Sequence, residues 1–158
     1  SFHVSPPYPG RRNGTVDTDD RYGQALSLTL EDIRMTTLSG QCLCQQVRLS
    51  VHGEPLRIGI CHCTDCRKES GSAFTFYAVW PLDRFRYSGE TSALQGRCFC
   101  PRCGSRLFSV DDREAEIKLG ILEDAPTCLT PSYELWVKRR ERWLKPVEGA
   151  AQFEEDRI

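Results

Sequence analysis

Apolar and polar residues alternate with a period of two along much of this chain, a pattern that predicts β-strands. A half-buried strand is predicted where Val47, Leu49 and Val51 alternate with polar residues. Residues 73–80 are rich in aromatic and β-branched side chains and stop at Pro81, which predicts a buried strand. Further short strands are predicted at residues 56–60, 85–87, 94–99, 106–110, 117–122 and 133–137.

Helical periodicity is weak by comparison. No segment keeps a period of 3.6 residues over about ten positions, and only residues 64–70 and 124–127 are compatible with a helical turn. No internal repeat and no low-complexity tract is visible. The predicted fold class is therefore mainly β.

The first 34 residues differ from the rest of the chain. Residues 26–30 alternate leucine with polar side chains and could add one edge strand. The single methionine, Met35, suits a native start, which would make residues 1–34 a leader or an added segment; a genuine extension is the alternative. We therefore expect an N-terminal extension at 1–34 and one domain at 35–158.

Length and charge narrow the classes of function. A chain of 158 residues fits one ordinary domain. The net charge of −1 provides no global field for nucleic acid or for an anionic membrane. No apolar run is long enough for a transmembrane helix, and the first residues lack the apolar stretch of a secretory signal. A cytoplasmic protein without membrane partners is expected.

The cysteines are the main compositional signal. There are nine, an odd number that cannot all pair within the chain. They cluster as Cys42 and Cys44, then Cys61, Cys63 and Cys66, then Cys98, Cys100 and Cys103, with Cys128 alone. Such tight groups, without a signal peptide, favour metal ligands over disulfides.

Cys100 and Cys103 have the spacing of a zinc knuckle. Pro101 fixes a backbone angle between them, and Gly104 permits the positive φ that closes the turn. A structural zinc ion has four ligands in a tetrahedron, so a second pair of cysteines is needed.

The second pair is predicted to be Cys42 and Cys44, because alternate side chains of an extended segment share one face. The resulting structural zinc ligands would be Cys42, Cys44, Cys100 and Cys103. In one alternative the early pair is part of the core and the knuckle is incomplete. Cys98 could also replace Cys100, although the proline and glycine frame Cys100 better. Cys98 and Cys128 are otherwise expected to be small buried apolar residues rather than reactive groups.

Cys61, Cys63 and Cys66 form a second candidate site with only three sulfurs. A zinc ion with three protein ligands and a fourth position for water or substrate is typical of catalysis. His62 could be a fourth ligand, but its side chain should point away from those of its two neighbours. Asp65 could also close the site through oxygen.

The ligand set of this second site indicates its chemistry. A zinc ion held by three thiolates is a weak Lewis acid that favours a soft donor such as another thiolate. Zinc also lowers the pKa of a bound thiol, which creates a nucleophile. The sequence therefore predicts chemistry on a thiol.

Several of these segments resemble the glutathione-dependent formaldehyde-activating family, which includes the centromere protein V domain. The similar segments are residues 40–48, 61–74, 99–108 and 133–137, the last with Tyr133 and Leu135 as variants. The resemblance spans residues 39–145 in the family's order and spacing. It implies a tent-like β fold of short antiparallel sheets around two zinc ions, with the same division of cysteines. It also implies a carbon–sulfur lyase that forms S-hydroxymethylglutathione from glutathione and formaldehyde.

The resemblance leaves the substrate contacts open. Gln45 stands where the family commonly has a glycine, which would alter the turn after the first cysteine pair. Residues beside the three-cysteine site could hold a carboxylate-bearing thiol, namely Arg67, Lys68, Ser70, Gly71 and Ser72. Solvated charges and an ordinary turn are the alternative interpretation.

A non-catalytic zinc module that binds protein or nucleic acid is the alternative function. Its support is the basic run at residues 138–142, with Trp136 and Trp143 beside it. Such runs are usually solvated faces, and the overall charge disfavours nucleic acid as a partner. The sequence is compatible with a homo-oligomer.

Overall fold

The computed structural model of the chain describes residues 36–157. Within that range, the chain forms eleven short β-strands in two sheets and one two-turn α-helix. The strands are β1 Thr37–Gln41, β2 Arg48–His52, β3 Arg57–Cys61, β4 Thr75–Pro81, β5 Phe85–Ser88, β6 Ser92–Leu94, β7 Arg97–Phe99, β8 Arg106–Val110, β9 Glu114–Lys118, β10 Tyr133–Leu135 and β11 Ala151–Gln152. The helix, α1, is Thr64–Ser70, and single 3-10 turns are Leu82–Arg84, Leu119–Ile121 and Val137–Arg139.

The strands pair in one small and one large sheet. The small sheet has the order β1-β2-β5, and the large sheet has the order β11-β10-β3-β4-β9-β8-β7-β6. Most neighbours are antiparallel, but β10 runs parallel to both β3 and β11. The prediction of a mainly β fold is confirmed. The short antiparallel sheets that the resemblance implies are present; β10 is the exception, because a long connection brings this strand back beside β3 in the same direction.

Strand β4 lies at the centre of the large sheet and is covered on both faces. Ala78 and Trp80 point into the main core, which the small sheet closes with Leu49, Val51 and Phe85. Tyr77 and Val79 alternate to the other face and join a smaller cluster around Cys61, Cys63 and Cys66. Because side chains alternate along β4, the main core and the cluster around Cys61, Cys63 and Cys66 lie on opposite faces of this strand.

Most predicted elements are present, with shifted ends. The predicted helical turn at 64–70 coincides with α1, and the predicted strand at 106–110 coincides with β8. The strand predicted at 117–122 begins earlier, at Glu114, and gives way to a 3-10 turn from Leu119. The strand predicted at 133–137 is shorter, because the third 3-10 turn begins at Val137.

Other expectations were wrong or cannot be compared. Residues 124–127 form no helical turn, because Pro126 disfavours the helical conformation of Ala125 before it. Strand β1 was not predicted, since its sequence has no clear alternation and its pairing with β2 defines it. The expectations for residues 1–34 lie outside the described residues. None of the helices formed by residues 36–157 has the length and the hydrophobicity of a membrane span.

Candidate metal centres

Four cysteines from two distant turns form the first cluster. Cys42 and Cys44 lie between β1 and β2, and Cys100 and Cys103 lie between β7 and β8. Their Sγ atoms all lie within 4.8 Å of one another. The Sγ atom of Cys44 is 3.5 Å from that of Cys42 and 3.7 Å from that of Cys100.

These distances fit a tetrahedral zinc site. With Zn–S bonds of about 2.3 Å, two sulfurs of a tetrahedron lie about 3.8 Å apart. A disulfide would require about 2.05 Å, and all nine cysteines are free. The first cluster therefore has the donor set and the spacing for a structural zinc ion.

Tight turns aim the four sulfurs at one point. In the early turn, the N–H of Gln45 donates to the carbonyl of Cys42, and Gln45 has a φ of 64°. The left-handed turn that glycine would favour is thus kept with glutamine. In the knuckle, the N–H of Gly104 donates to the carbonyl of Cys100, and Gly104 has a φ of 74°.

Hydrogen bonds at this cluster favour the thiolate form of Cys42 and Cys103. The N–H of Val47 donates to Cys42 Sγ at 3.2 Å. Burial raises the pKa of Cys103, but hydrogen bonds from Ser105 outweigh it and lower that pKa to about 6. Donors aimed at sulfur stabilise its charged form, which is the form that binds a metal.

The second cluster is local in sequence. Cys61 ends β3, Cys63 caps the N-terminus of α1, and Cys66 lies in its first turn. Their three Sγ atoms also lie within 4.8 Å of one another. We call this group the tripod.

Backbone groups already serve the tripod sulfurs. The N–H of Cys63 donates to Cys61 Sγ at 3.5 Å, and the N–H of Cys66 donates to Cys63 Sγ at 3.4 Å. The hydrogen bond with Cys61 and burial raise the pKa of Cys66. Three crowded thiols cannot all lose their protons without a cation between them, so this donor set also fits zinc.

The two candidates for a fourth ligand turn away from the tripod. The Nε2 atom of His62 lies 2.8 Å from Glu134 Oε2 on the opposite face of the strand, as the alternation of side chains predicts. Asp65 Oδ2 instead accepts a hydrogen bond from Arg97 at 3.0 Å. Neither residue belongs to the group of atoms that can share one ion.

His62 and Glu134 are a buried pair that fixes the tripod loop to β10. Both side chains are almost completely buried. The carboxylate of Glu134 also accepts from the N–H of Val147 at 2.6 Å and from Gln152 at 3.1 Å. The N–H of His62 donates to the carbonyl of Leu135 at 3.0 Å. The sequence pattern indicated His62 only as a possible ligand and gave no signal for Glu134.

Two buried tyrosines share the face of the sheet that carries Cys61. Gly59 is paired with Tyr77 of β4 on one side and with Tyr133 of β10 on the other. Since Gly59 and Cys61 are two residues apart, their neighbours in register lie on the same face. The two hydroxyls lie 3.0 Å apart across the bare glycine. Burial, first of all, raises the pKa of Tyr77, so its hydroxyl stays protonated and can donate hydrogen bonds.

The residues predicted to contact a thiol lie along α1 and its C-terminal cap. Arg67 donates to Glu141 and to the carbonyl of Arg139, so it is held by the chain itself. Lys68 is exposed. Ser70 Oγ donates to the carbonyl of Cys66 at 2.7 Å. The turn after the helix consists of Gly71, with a φ of 62°, and Ser72, whose N–H donates to the carbonyl of Arg67.

Much of the basic run at 138–142 is engaged within the chain. Lys138 pairs with Glu155, and Arg140 pairs with Glu134 at 3.4 Å. Arg139 donates to the hydroxyl of Thr64 and lies over the ring of Trp136. These contacts fasten the segment after β10 to the C-terminal residues, to β10 itself and, through Thr64, to α1.

The comparison with protein-family models agrees with these features. The family model described as glutathione-dependent formaldehyde-activating enzyme matches residues 37–139, which include both cysteine clusters. Among solved structures, the chain is similar to a protein of Rhodobacter sphaeroides, with 20% sequence identity and a TM-score of 0.44 over 73% of this chain and 98% of that chain. No curated protein matches the chain. The resemblance drawn from the sequence is confirmed, and the chain belongs to the family of glutathione-dependent formaldehyde-activating enzymes.

Proposed function

We propose that this chain is a zinc enzyme that joins a thiol to an aldehyde, with glutathione and formaldehyde as the substrates. The observation that supports this most is the inequality of the two clusters. One offers four sulfurs to an ion, whereas the tripod offers three and turns its neighbours His62 and Asp65 elsewhere. We assign two zinc ions per chain, one structural and one at the tripod.

The tripod is the proposed catalytic centre. A zinc ion held by Cys61, Cys63 and Cys66 would supply a Lewis acid with a coordination position for a thiol and would lower the pKa of that thiol. The backbone N–H groups of Cys63 and Cys66 donate to the sulfurs of Cys61 and Cys63 and hold them in place. The hydroxyls of Tyr77 and Tyr133 offer hydrogen bonds on the same face.

The reaction balances without any further reagent. The thiol loses its proton, its sulfur forms a bond to the aldehyde carbon, and the π electrons of the C=O bond move to oxygen. That oxygen takes up a proton, which gives S-hydroxymethylglutathione. The reverse reaction, which breaks the carbon–sulfur bond, is that of a carbon–sulfur lyase.

The contacts to the thiol remain part of this proposal. Of the five residues suggested by the sequence, Ser70 lines a cavity beside α1, and Lys68 is exposed. Gly71 and Ser72 form the turn between the C-terminal end of α1 and β4. Arg67 is already bound to Glu141, so we expect it to position the helix rather than the substrate.

The test is adduct formation with matched cysteine variants. Exchange NMR on glutathione and formaldehyde should show faster adduct formation with the wild-type protein than in buffer. Cys66→Ser should abolish the acceleration and lower the zinc content from about two to about one per chain. Cys128→Ser is the control, since Cys128 is exposed and outside both clusters. Wild-type protein with two zinc ions and no acceleration would refute the proposal.

A zinc module without catalysis is the competing function. The basic run at residues 138–142 supported this alternative. Lys138, Arg139 and Arg140 of that run already bind groups within the chain, which weakens the case for a partner that binds them. We place the protein in the cytoplasm, because a reducing compartment keeps cysteines available as metal ligands.

A further inference from the structure

Two buried tyrosine hydroxyls lie on the face of the large sheet that carries Cys61. Gly59 precedes Cys61 by two residues on β3, so the two positions share one face and lie about 7 Å apart. Tyr77 and Tyr133 flank Gly59 in register on the two neighbouring strands. Both tyrosines belong to one buried cluster with Cys61, and the other two tripod cysteines pack against that cluster. The hydroxyl pair is therefore a neighbour of the tripod.

The two rings meet over the bare backbone of Gly59. A Cβ atom on Gly59 would lie 3.0 Å from the Oη atom of Tyr133. The Oη atom of Tyr77 lies 3.0 Å from that of Tyr133. Both hydroxyls thus lie above β3, on the side from which the sulfur of Cys61 projects.

The hydroxyl pair has one proton that it does not use internally. Each tyrosine hydroxyl carries one O–H donor, and one hydrogen bond joins the two oxygens. Among residues 36–157, neither hydroxyl makes a further hydrogen bond. Tyr77 and Tyr133 are only 6% and 4% exposed, so little water competes for the remaining proton. That proton is available to an acceptor that enters this face.

The positions that flank Cys61 itself offer no such donor. Thr75, in register with Cys61 on β4, donates its hydroxyl proton to the carbonyl of Cys66 at 2.9 Å. Leu135, in register with Cys61 on β10, is apolar. Of the residues on β4 and β10 that flank Gly59 and Cys61, the two tyrosines therefore supply the free donor.

We propose that Tyr77 and Tyr133 bind the aldehyde oxygen, as catalytic residues that donate a hydrogen bond to it. This inference rests on the proposed function, because the thiol sulfur must attack from the tripod. As the sulfur–carbon bond forms, the π electrons of the C=O bond move to oxygen, and the hydroxyl pair stabilises the negative charge that develops there. That oxygen then takes up the proton that the thiol lost, so the step needs no further reagent. A fixed donor aimed at developing charge lowers the barrier most where water is excluded.

Phenylalanine variants test the hydroxyls without removing the rings. Exchange NMR should show a kcat for adduct formation about tenfold lower in Tyr77→Phe or Tyr133→Phe and about 100-fold lower in the double variant. KM for glutathione and the zinc content should not change, because the thiol and the metal contact the tripod. Tyr87→Phe is the control, since Tyr87 is half exposed on β5, in the other sheet. A folded double variant with the kcat of the wild-type protein would overturn the inference.

Binding of a stable analogue of the adduct tests the same site without catalysis. S-acetylglutathione has a carbonyl oxygen on the carbon bonded to sulfur, and S-isopropylglutathione has a methyl group in its place. Calorimetry on the zinc-loaded wild-type protein should show the acetyl compound bound at least about threefold more tightly, because its oxygen accepts the free proton. The double variant should lose this preference.

Two results of the calorimetry would overturn the inference. One is equal affinity of the wild-type protein for the two compounds, and the other is a preference that persists in a folded double variant. If the phenylalanine variants do not fold, the comparison on the wild-type protein decides.

The two proposals can fail separately. A preference for the acetyl compound that depends on the two hydroxyls, without acceleration of adduct formation, would refute the proposed function and leave the oxygen-binding site. Acceleration that is equal in the wild-type protein and the double variant would refute the oxygen-binding site alone.

Discussion

At the scale of single residues, the absence of a side chain at Gly59 shapes the surroundings of the tripod. A Cβ atom on Gly59 would lie only 2.5 Å from Cε2 of Tyr133 and 2.6 Å from its Cζ atom. The ring of Tyr133 therefore occupies the space that any other residue would need. This close approach lets its hydroxyl reach that of Tyr77 across β3. Glycine at position 59 is thus required by the buried hydroxyl pair on the face of Cys61.

Gly59→Ala should lower the free energy of unfolding by about 1–3 kcal/mol, because a buried ring must move. Urea unfolding measures the change. Gly120→Ala is the control, since a Cβ there would meet nothing within 4 Å. Similar losses in both variants would show that the packing against Tyr133 is not the cause.

At the scale of elements, strand β10 is short but holds the tripod loop. Its three residues pair in parallel with the end of β3, where Cys61 lies. Glu134 points to the other face and collects donors from His62, Val147 and Gln152. A buried carboxylate with this many partners fixes three segments relative to one another. The strand therefore links the C-terminal part of the chain to the tripod.

Glu134→Ala should destabilise the fold by about 3 kcal/mol or more, because several buried donors lose their acceptor together. Thermal and urea unfolding are suitable measurements. Glu155→Ala is the matched control. That carboxylate pairs with Lys138 at the surface, so the midpoint should hardly change. A small effect of Glu134→Ala would mean that water replaces the carboxylate.

At the scale of the whole molecule, the two cysteine clusters connect different parts of the structure. The first joins the turn after β1, in the small sheet, to the turn before β8, in the large sheet. The tripod involves six consecutive positions of one loop, which hydrogen bonds and β10 already hold. A metal at the first cluster would therefore stabilise the tertiary fold, and a metal at the tripod would matter mainly for chemistry.

Cys103→Ser should therefore remove most of the folding free energy that a zinc ion would supply at the first cluster, on the order of 10 kcal/mol. We expect the thermal unfolding of this variant, monitored by circular dichroism, to lose its cooperativity. Cys66→Ser should keep a cooperative transition. A Cys66→Ser protein that is as disordered as Cys103→Ser would contradict this division of roles.

The sequence alone determined the mainly β class, the bounds of α1 and the division of seven cysteines into four and three. These depend on short-range rules: the spacing of a knuckle, the alternation of side chains and the ligand count of zinc. The ends of β9 and β10 were less predictable, because 3-10 turns replaced the predicted strand ends at Leu119 and Val137.

Only the tertiary structure decided what surrounds the tripod. Tyr77, Lys118, Tyr133 and Glu134 reach it from strands that are distant in sequence. Their positions follow from strand register, and a shift by one residue would send each side chain to the other face of the sheet. No local pattern encodes that register, since it results from the packing of both faces of β4 at once.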